Sequence, residues 1–116
     1  MKFLQYESLG STNVEADKLY EAGETSAFWV RADQQTSGRG RRGREWSSPN
    51  GNFYATACYP YDGPPQDAAK LSFVAAIAVA KALNKYTLTA KPTLKWPNDV
   101  LIGGRKIAGL LLEAKP

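Results

Sequence analysis

The sequence predicts an α+β fold in which a mixed, mostly antiparallel sheet packs against helices. Strand-like runs of apolar, β-branched and aromatic residues recur along the chain. Two other stretches have helical apolar patterns, and a Gly-Gly pair near the end joins two apolar runs as in a β-hairpin. The 116 residues are enough for one domain, so we expect residues 1–116 to form a single one.

The first half of the chain predicts a strand, a helix and a second strand. Residues 3–9 alternate as in a strand. Thr12 and Glu15 have the spacing of a capping box, which predicts a helix that starts at Thr12 and ends before Gly23. Residues 27–33 are mostly apolar, so we expect this strand to lie in the centre of the sheet.

The second half predicts a long helix among further strands. Asp67 is placed to cap a helix that runs to about Leu83, and apolar residues on several of its faces predict burial on more than one side. The strands are expected at residues 53–59, 89–95, 100–102 and 107–112, the last two joined through Gly103 and Gly104.

Residues 38–44 form the most unusual stretch, because they contain only glycine and arginine. Four of the 15 Lys and Arg residues lie in this Arg-Gly loop, and the remaining 11 balance the 11 Asp and Glu residues. The loop alone therefore accounts for the net charge of +4. Backbone N–H groups beside glycines, with arginines available for bidentate contacts, suit a phosphate or a carboxylate.

A disordered Arg-Gly tract that binds single-stranded nucleic acid is the alternative interpretation of this loop. The residues that follow argue against it. Trp46 supplies an aromatic anchor, a turn follows at Pro49, and the chain then enters the predicted strand at residues 53–59. Nucleic-acid binders usually spread positive charge over a face, whereas the rest of this chain is balanced. We therefore expect no nucleic-acid partner.

Composition excludes several kinds of chemistry. The chain has no histidine, which excludes Ser-His triads and removes the commonest zinc ligand. Cys58 is the single cysteine, so no intramolecular disulfide forms, and its place on an apolar strand predicts a core residue rather than a nucleophile. We expect a cytoplasmic protein, because no signal peptide and no apolar run of membrane-spanning length is found.

Polar residues elsewhere have two interpretations each. Ser11, Thr12 and Asn13 lie where the first helix begins, and they either cap that helix or bind a ligand at its partly positive end. Lys95 ends a predicted strand and is either a surface lysine or a fixed cation in a site. Lys106, after the Gly-Gly turn, faces either a ligand or solvent.

Three motifs together resemble the catalytic domain of biotin protein ligases. The stretch at residues 38–49 has that family's form Gly-Arg-Gly-Arg-x-Gly-Arg-x-Trp-x-Ser-Pro, residues 95–99 read Lys-Trp-Pro-Asn-Asp, and residues 11–13 read Ser-Thr-Asn. The motifs occur in the family's order, and the resemblance extends from residue 8 to residue 113. The related lipoate ligases share this fold but have a histidine-containing segment, so the absence of histidine favours biotin.

The resemblance implies a two-step reaction. The biotin carboxylate attacks the α-phosphate of ATP to give biotinyl-5′-AMP and pyrophosphate, and a lysine of a biotin carboxyl carrier protein or domain then attacks this adenylate. ATP and Mg²⁺ are the implied co-substrates and biotin is the substrate. Because the first step joins two anions, fixed cations in a dry pocket are the expected catalysts.

The resemblance also implies roles for individual residues. Lys95, Arg39 and Arg41 are the implied catalytic residues, and no metal ligand is assigned. Asn98 and Asp99 either orient the nucleotide or magnesium or only terminate the strand. The implied biotin-binding residues are Ser11, Thr12, Asn13, Gln35, Gly38, Arg39, Arg41 and Lys95. The implied nucleotide-binding residues are Arg41, Arg44, Trp46, Asn98 and Asp99.

The family's catalytic domain is about twice as long as this chain, so we expect residues 1–116 to be its N-terminal part, truncated after the central hairpin. Neither the family's DNA-binding domain nor its C-terminal barrel is expected. Three hypotheses remain within this family: an active ligase, a non-catalytic fragment that binds biotin or an adenylate, and a half-protein completed by a second chain. An Arg-Gly nucleic-acid binder is the remote alternative. The apolar strand at residues 107–112 favours a pairing partner, either a second copy in a homodimer or a complementing chain.

Overall fold

The computed structural model describes residues 1–86 and 89–116. These residues divide into two compact units, Met1–Tyr61 and Asp62–Pro116. The assignment of residues 1–116 to one domain stays a prediction. Within the described ranges, no helix is both long and apolar enough to cross a membrane.

The first unit is a three-stranded sheet covered by one helix. Strand β2 lies between β1 and β3, pairing parallel with β1 and antiparallel with β3. The predicted mixed sheet and the central position of β2 are therefore confirmed. The elements are β1 (Lys2–Leu9), α1 (Thr12–Glu21), β2 (Phe28–Gln35) and β3 (Tyr54–Cys58).

The parallel pairing of β1 and β2 determines where the polar residues of this unit lie. Leu9 at the end of β1 is opposite Gln35 at the end of β2. The first strand continues into α1 and the second into the Arg-Gly loop. Hydrogen bonds from Thr36 N to Leu9 O (2.9 Å) and from Ser37 N to Gly10 O (2.7 Å) extend the contact beyond both strands. The N-terminus of α1 and the base of the loop therefore lie side by side.

Helix α1 begins at Thr12 as predicted, but the predicted capping box is wrong. The N-cap is Ser11, whose Oγ accepts a hydrogen bond from Val14 N at 3.4 Å. The Glu15 carboxylate instead accepts a hydrogen bond from the Tyr6 hydroxyl at 3.3 Å, because α1 packs over the sheet that contains β1. Thr12 is thereby released from capping and can bond to other groups.

The core of the first unit lies between α1 and the sheet. Ala16, Phe28 and Val30 are buried, and a ring of partly buried side chains packs around them. Those partly buried residues are Leu4, Tyr6, Leu9, Leu19 and Cys58. Cys58 is therefore part of the core packing, as its place on an apolar strand predicted.

The second unit contains two helices and a three-stranded antiparallel sheet in the order β4-β5-β6. The predicted hairpin is confirmed. Gly103 and Gly104 have φ angles of 59° and 75°, the left-handed pair that a tight two-residue turn requires. The elements are α2 (Pro65–Ala68), α3 (Leu71–Leu83), β4 (Thr93–Lys95), β5 (Asp99–Ile102) and β6 (Arg105–Gly109).

The single long helix predicted from Asp67 is wrong. Lys70 N bonds to Asp67 O at 3.0 Å, a tight three-residue spacing that separates α2 from α3. Pro64, not Asp67, is the N-cap residue of α2, and the Asp67 carboxylate instead pairs with Lys70 Nζ at 2.8 Å. Burial on more than one side is also wrong, because Val74 is 60% exposed. Within its unit, α3 packs against the sheet, and Phe73 contacts the Trp96 ring in the turn between β4 and β5, with ring centroids 6.2 Å apart.

The strands on either side of β5 are shorter than the sequence predicts. Strand β4 begins at Thr93 because Pro92 has no N–H to donate to a ladder. Strand β6 ends at Gly109 instead of Leu112. The ladder stops there because β5 itself begins only at Asp99, after the Trp-Pro turn.

The position of Cys58 leads to a test of the first unit. Burial, and secondarily the Asp17 carboxylate, raise the pKa of the Cys58 thiol, so less thiolate is present at a given pH than for an ordinary cysteine. We expect a disulfide reagent to react with the native protein several-fold more slowly than with the urea-unfolded protein at pH 8. Equal rates in the two states would contradict this packing.

Candidate functional site

The Arg-Gly loop is folded into a small hairpin. Trp46 N donates to Gly38 O at 2.9 Å, and Gly40 N donates to Arg44 O at 2.6 Å. A 3-10 turn over Arg41–Gly43 closes the tip. The loop therefore has a defined backbone, unlike the disordered tract of the alternative interpretation.

The register of this hairpin separates its side chains onto two faces. Arg39 is directly opposite Glu45, so these two residues project from the same face. Arg44 projects from the other face, where Gly40 across the hairpin has no side chain. The exposed arginines therefore point in different directions and can contact different parts of one extended anion.

At the tip, Arg42 has a φ of 59° and the following Gly43 a φ of 71°. Left-handed backbone costs an arginine roughly 1 kcal/mol more than a glycine. The sequence pattern did not indicate this, because Arg42 occupies the variable position of the loop motif.

A hydrogen-bond network joins the base of the loop to α1 through Gln35. Its Oε1 accepts from Thr12 N at 2.8 Å and from Thr12 Oγ1 at 3.2 Å. Its Nε2 donates to Ser48 Oγ at 3.0 Å. The Ser48 hydroxyl in turn donates to Trp46 O at 2.9 Å. One side chain at the end of β2 therefore connects the helix N-terminus to the loop.

Strand β3 contributes Thr56 to the same network. The Thr56 hydroxyl lies 2.8 Å from Thr12 Oγ1 and donates to Asn13 Oδ1. Thr12 and Ser48 are buried at 5% and 6% exposure, so these polar groups are shielded from water. Hydrogen bonds in such surroundings are strong, and an unmatched group is costly.

The first unit thus brings together many of the residues that the sequence singled out. The Ser-Thr-Asn turn, Gln35 and Gly38 lie within one network, and the Arg-Gly hairpin begins there. Sequence reasoning missed Thr56 and gave Ser48 no role of its own. A threonine among apolar residues on β3 was the available signal for Thr56, whereas Ser48 was visible only as a motif position.

The remaining predicted residues lie in the second unit. Lys95 is exposed at the end of β4, and its register partner is Asp99. The Asp99 carboxylate pairs with Lys106 Nζ at 3.0 Å. Asn98 is buried, and both its backbone and its Nδ2 bond to Leu110. These contacts support the structural interpretation of Asn98 and Asp99, and their nucleotide role stays a prediction.

The residues do not fit a protein-built magnesium site. The described part of the chain has no group of three or more His, Cys, Asp or Glu residues that could hold a metal ion. Asn98 Oδ1 is a buried acceptor without a hydrogen-bond partner among the described residues, but the neighbouring Asp99 carboxylate is already ion-paired. Mg²⁺ prefers several oxygen ligands at once and commonly binds through nucleotide phosphates.

Comparison with known proteins identifies the family. The model of the biotin/lipoate A/B protein ligase family matches residues 7–116. The chain belongs to this family. It is 50% identical to the biotin–[acetyl-CoA-carboxylase] ligase of Paracoccus denitrificans over 105 residues, which are 90% of this chain and 43% of that relative. It therefore spans less than half the length of this ligase.

Solved structures of biotin protein ligases have the same fold. The Leishmania major enzyme in complex with biotinyl-5-AMP matches with a TM-score of 0.78 at 30% identity, covering 98% of this chain and 52% of that one. The Aquifex aeolicus enzyme in complex with biotin and ATP matches with a TM-score of 0.77 at 31% identity, covering 97% of this chain and 47% of that one. The predicted α+β fold of this family is confirmed.

Gly38 offers a test of the loop base, with Gly40 as its matched control. A Cβ at Gly38 would lie 2.6 Å from both Ser48 Oγ and Trp46 O, whereas a Cβ at Gly40 has no contact closer than 3.6 Å. We expect Gly38→Ala to lower the free energy of unfolding by about 1–3 kcal/mol, because the clash displaces the loop base. Gly40→Ala should change it by less than about 0.5 kcal/mol.

Urea denaturation measures both variants. If the two alanines proved equally harmless, the close packing around Gly38 would be wrong. If both were equally damaging, the effect would come from stiffening the loop backbone and not from the clash.

Proposed function

We propose that this chain provides biotin- and ATP-binding surfaces of a biotin protein ligase, which activates biotin as biotinyl-5′-AMP and transfers it to a lysine of a biotin carrier domain. One observation carries the proposal. The Ser-Thr-Asn turn, Gln35 and the arginine hairpin are joined by hydrogen bonds in one unit. Polar groups that suit the uncharged ring of biotin, and arginines that suit the biotin carboxylate and the ATP phosphate, are thus available in one unit.

In the first step, a biotin carboxylate oxygen forms a bond to the α-phosphorus of ATP. The bond between the α-phosphorus and the bridging oxygen to the β-phosphate breaks, and pyrophosphate leaves. Both reactants are negatively charged, so the electrostatic cost of their approach is a large part of the barrier. Fixed cations lower this cost without reorganising during the reaction, and the step needs no histidine base.

Arg39 and Arg41 are proposed to bind the carboxylate and the α-phosphate. Arginine suits this task because its planar fork makes bidentate contacts and keeps its charge at any physiological pH. Arg44 and Trp46, which are separated by Glu45 and therefore project from the same face of the hairpin, would contact the nucleotide. The two-faced hairpin supports this division of roles, because it directs Arg39 and Arg44 to opposite sides.

At the biotin end, the polar groups suit the ureido ring. That ring has two N–H donors and one carbonyl acceptor. Ser11, Thr12, Asn13 and Gln35 offer hydroxyl and amide groups of both kinds, several of them shielded from water. Gly38 leaves room for the backbone to approach the ligand closely.

Lys95 is proposed as the catalytic cation from the second unit. Its ammonium group would neutralise charge on the carboxylate and the α-phosphate as they react. In the second step, the neutral amine of an acceptor lysine attacks the carbonyl carbon of the adenylate. The bond to the phosphate oxygen breaks, AMP leaves, and the amine loses its proton as the amide forms.

A second candidate is a non-catalytic fragment that binds biotin or the adenylate, alone or with a completing chain. The length of the chain supports this second candidate, because the chain covers 43% of the Paracoccus ligase and about half of each matched structure. Under this alternative biotin binds, but pyrophosphate is not released.

Pyrophosphate release with biotin, ATP and Mg²⁺ tests the proposal. We expect biotin-dependent release from the wild-type chain and a fall of roughly 10²-fold or more in Lys95→Ala, because one transition-state cation is lost. Lys91→Ala, which removes an exposed lysine on the same unit, is the matched control and should retain the rate. Biotin affinity is measured alongside by calorimetry.

The outcomes separate the candidates. Release that survives in Lys95→Ala would contradict the catalytic role of that residue. Biotin binding without any release would favour the fragment. A wild-type chain that neither binds biotin nor releases pyrophosphate would contradict both the active ligase and a fragment that binds biotin by itself.

A further inference from the structure

Ser48 is a buried hydroxyl at the base of the Arg-Gly loop, and no step of the proposed reaction uses it. It is 6% exposed. Its Oγ accepts from Gln35 Nε2 at 3.0 Å and donates to Trp46 O at 2.9 Å. Its backbone carbonyl also accepts from Gln35 N at 3.1 Å. Ser48 therefore holds both the main chain and the side chain of Gln35.

Donor and acceptor chemistry gives this set of bonds a single direction. The Trp46 carbonyl can only accept, so the Ser48 hydroxyl must donate its proton there. Ser48 Oγ is then an acceptor toward Gln35, which must present its NH₂ group. The Gln35 oxygen consequently faces Thr12, whose backbone N–H is a donor at 2.8 Å. Main-chain groups at both ends thus determine which end of the Gln35 amide faces α1.

Loss of the Ser48 hydroxyl would remove one of the two groups that orient the amide and leave only Thr12. The Gln35 NH₂ group would lose its acceptor, and the amide could rotate or exchange its two ends. A reversed amide would place its NH₂ group against the Thr12 N–H, where two donors meet. The Ser-Thr-Asn turn would then lose the oxygen that faces it.

We propose that Ser48 is a positioning residue for biotin, acting through Gln35 by holding the NH₂ end of its amide while Thr12 holds the oxygen. The inference rests on the proposed function, in which Gln35 contacts biotin. The Gln35 oxygen already accepts from both Thr12 N and Thr12 Oγ1, so the second Gln35 N–H is the group left to contact a ligand, and it can donate to a urea carbonyl. A ligand with a carbonyl acceptor, such as the ureido ring of biotin, fits this orientation.

The close packing around Gly38 supports the inference. A Cβ at this position would lie 2.6 Å from Ser48 Oγ and 2.9 Å from Gln35 Nε2. Gly38 thus leaves the space in which the bond between Ser48 and Gln35 forms. A glycine at the first position of the loop motif is explained by this bond as well as by approach to a ligand.

A double-mutant cycle on biotin affinity tests the assignment. Calorimetry compares the wild type, Ser48→Ala, Gln35→Ala and the double variant, with Ser47→Ala as the matched control because Ser47 is the exposed neighbouring serine. We expect Ser48→Ala to weaken biotin about tenfold, as expected for one well-placed hydrogen bond. The double variant should be within about twofold of Gln35→Ala, because Ser48 then has nothing to position.

Two further readouts separate positioning from loss of structure. ATP affinity and the rate of pyrophosphate release at saturating biotin should change less than about threefold in Ser48→Ala, since only biotin binding depends on the amide. Ser48→Thr keeps the hydroxyl and should recover most of the biotin affinity. Thermal midpoints identify any variant that is unfolded at the assay temperature.

Several results would overturn the inference. One is an effect of Ser48→Ala that adds fully to that of Gln35→Ala. A second is a loss of ATP affinity in Ser48→Ala that equals its loss of biotin affinity. A third is a biotin affinity that Ser48→Ala leaves unchanged. If the wild-type chain itself fails to bind biotin, the proposed function fails, and that result differs from wild-type binding that is insensitive to Ser48.

Discussion

The candidate site depends on one side chain, the amide of Gln35 at the end of β2. It bonds to Thr12 at the start of α1 and to Ser48 at the base of the Arg-Gly hairpin. Without these bonds, the helix N-terminus and the cationic loop would be separate features of a small sheet. With them, the polar groups at the start of α1 and the cationic loop are joined, which is the arrangement that the proposed reaction between biotin and ATP would need.

This arrangement follows from a general property of parallel strands. The carboxyl ends of β1 and β2 lie at the same edge of the sheet, so the segments that follow them must be neighbours. The cost is that polar side chains are buried, and each must find a partner. Thr12 and Ser48 find theirs mainly in Gln35, and Thr56 bonds to Asn13, so the network contributes to the fold as well as to the site.

The sequence predicted the parts of this chain that are determined locally. The hairpin at Gly103 and Gly104 was predicted correctly because tight turns need left-handed residues. The central position of β2 was predicted correctly because a mostly apolar strand is expected inside a sheet. The N-cap of α1 was not predicted correctly, because Ser11 and Thr12 have similar cap propensities and only the contact of Thr12 with Gln35 distinguishes them. The role of Thr56 likewise depends on contacts between distant residues, whereas the break between α2 and α3 comes from a local bond between Lys70 and Asp67 that the apolar pattern does not reveal.

Hydrogen exchange in the ligand-free protein tests the central claim most directly. The backbone N–H groups of Gln35 and Trp46 bond to Ser48 O and Gly38 O. If the loop base is formed before any ligand binds, these two backbone amides should exchange at least roughly tenfold more slowly than in the unfolded chain. Exchange at the unfolded rate, slowed only after biotin and ATP are added, would show that the loop folds around its ligands and would contradict the account.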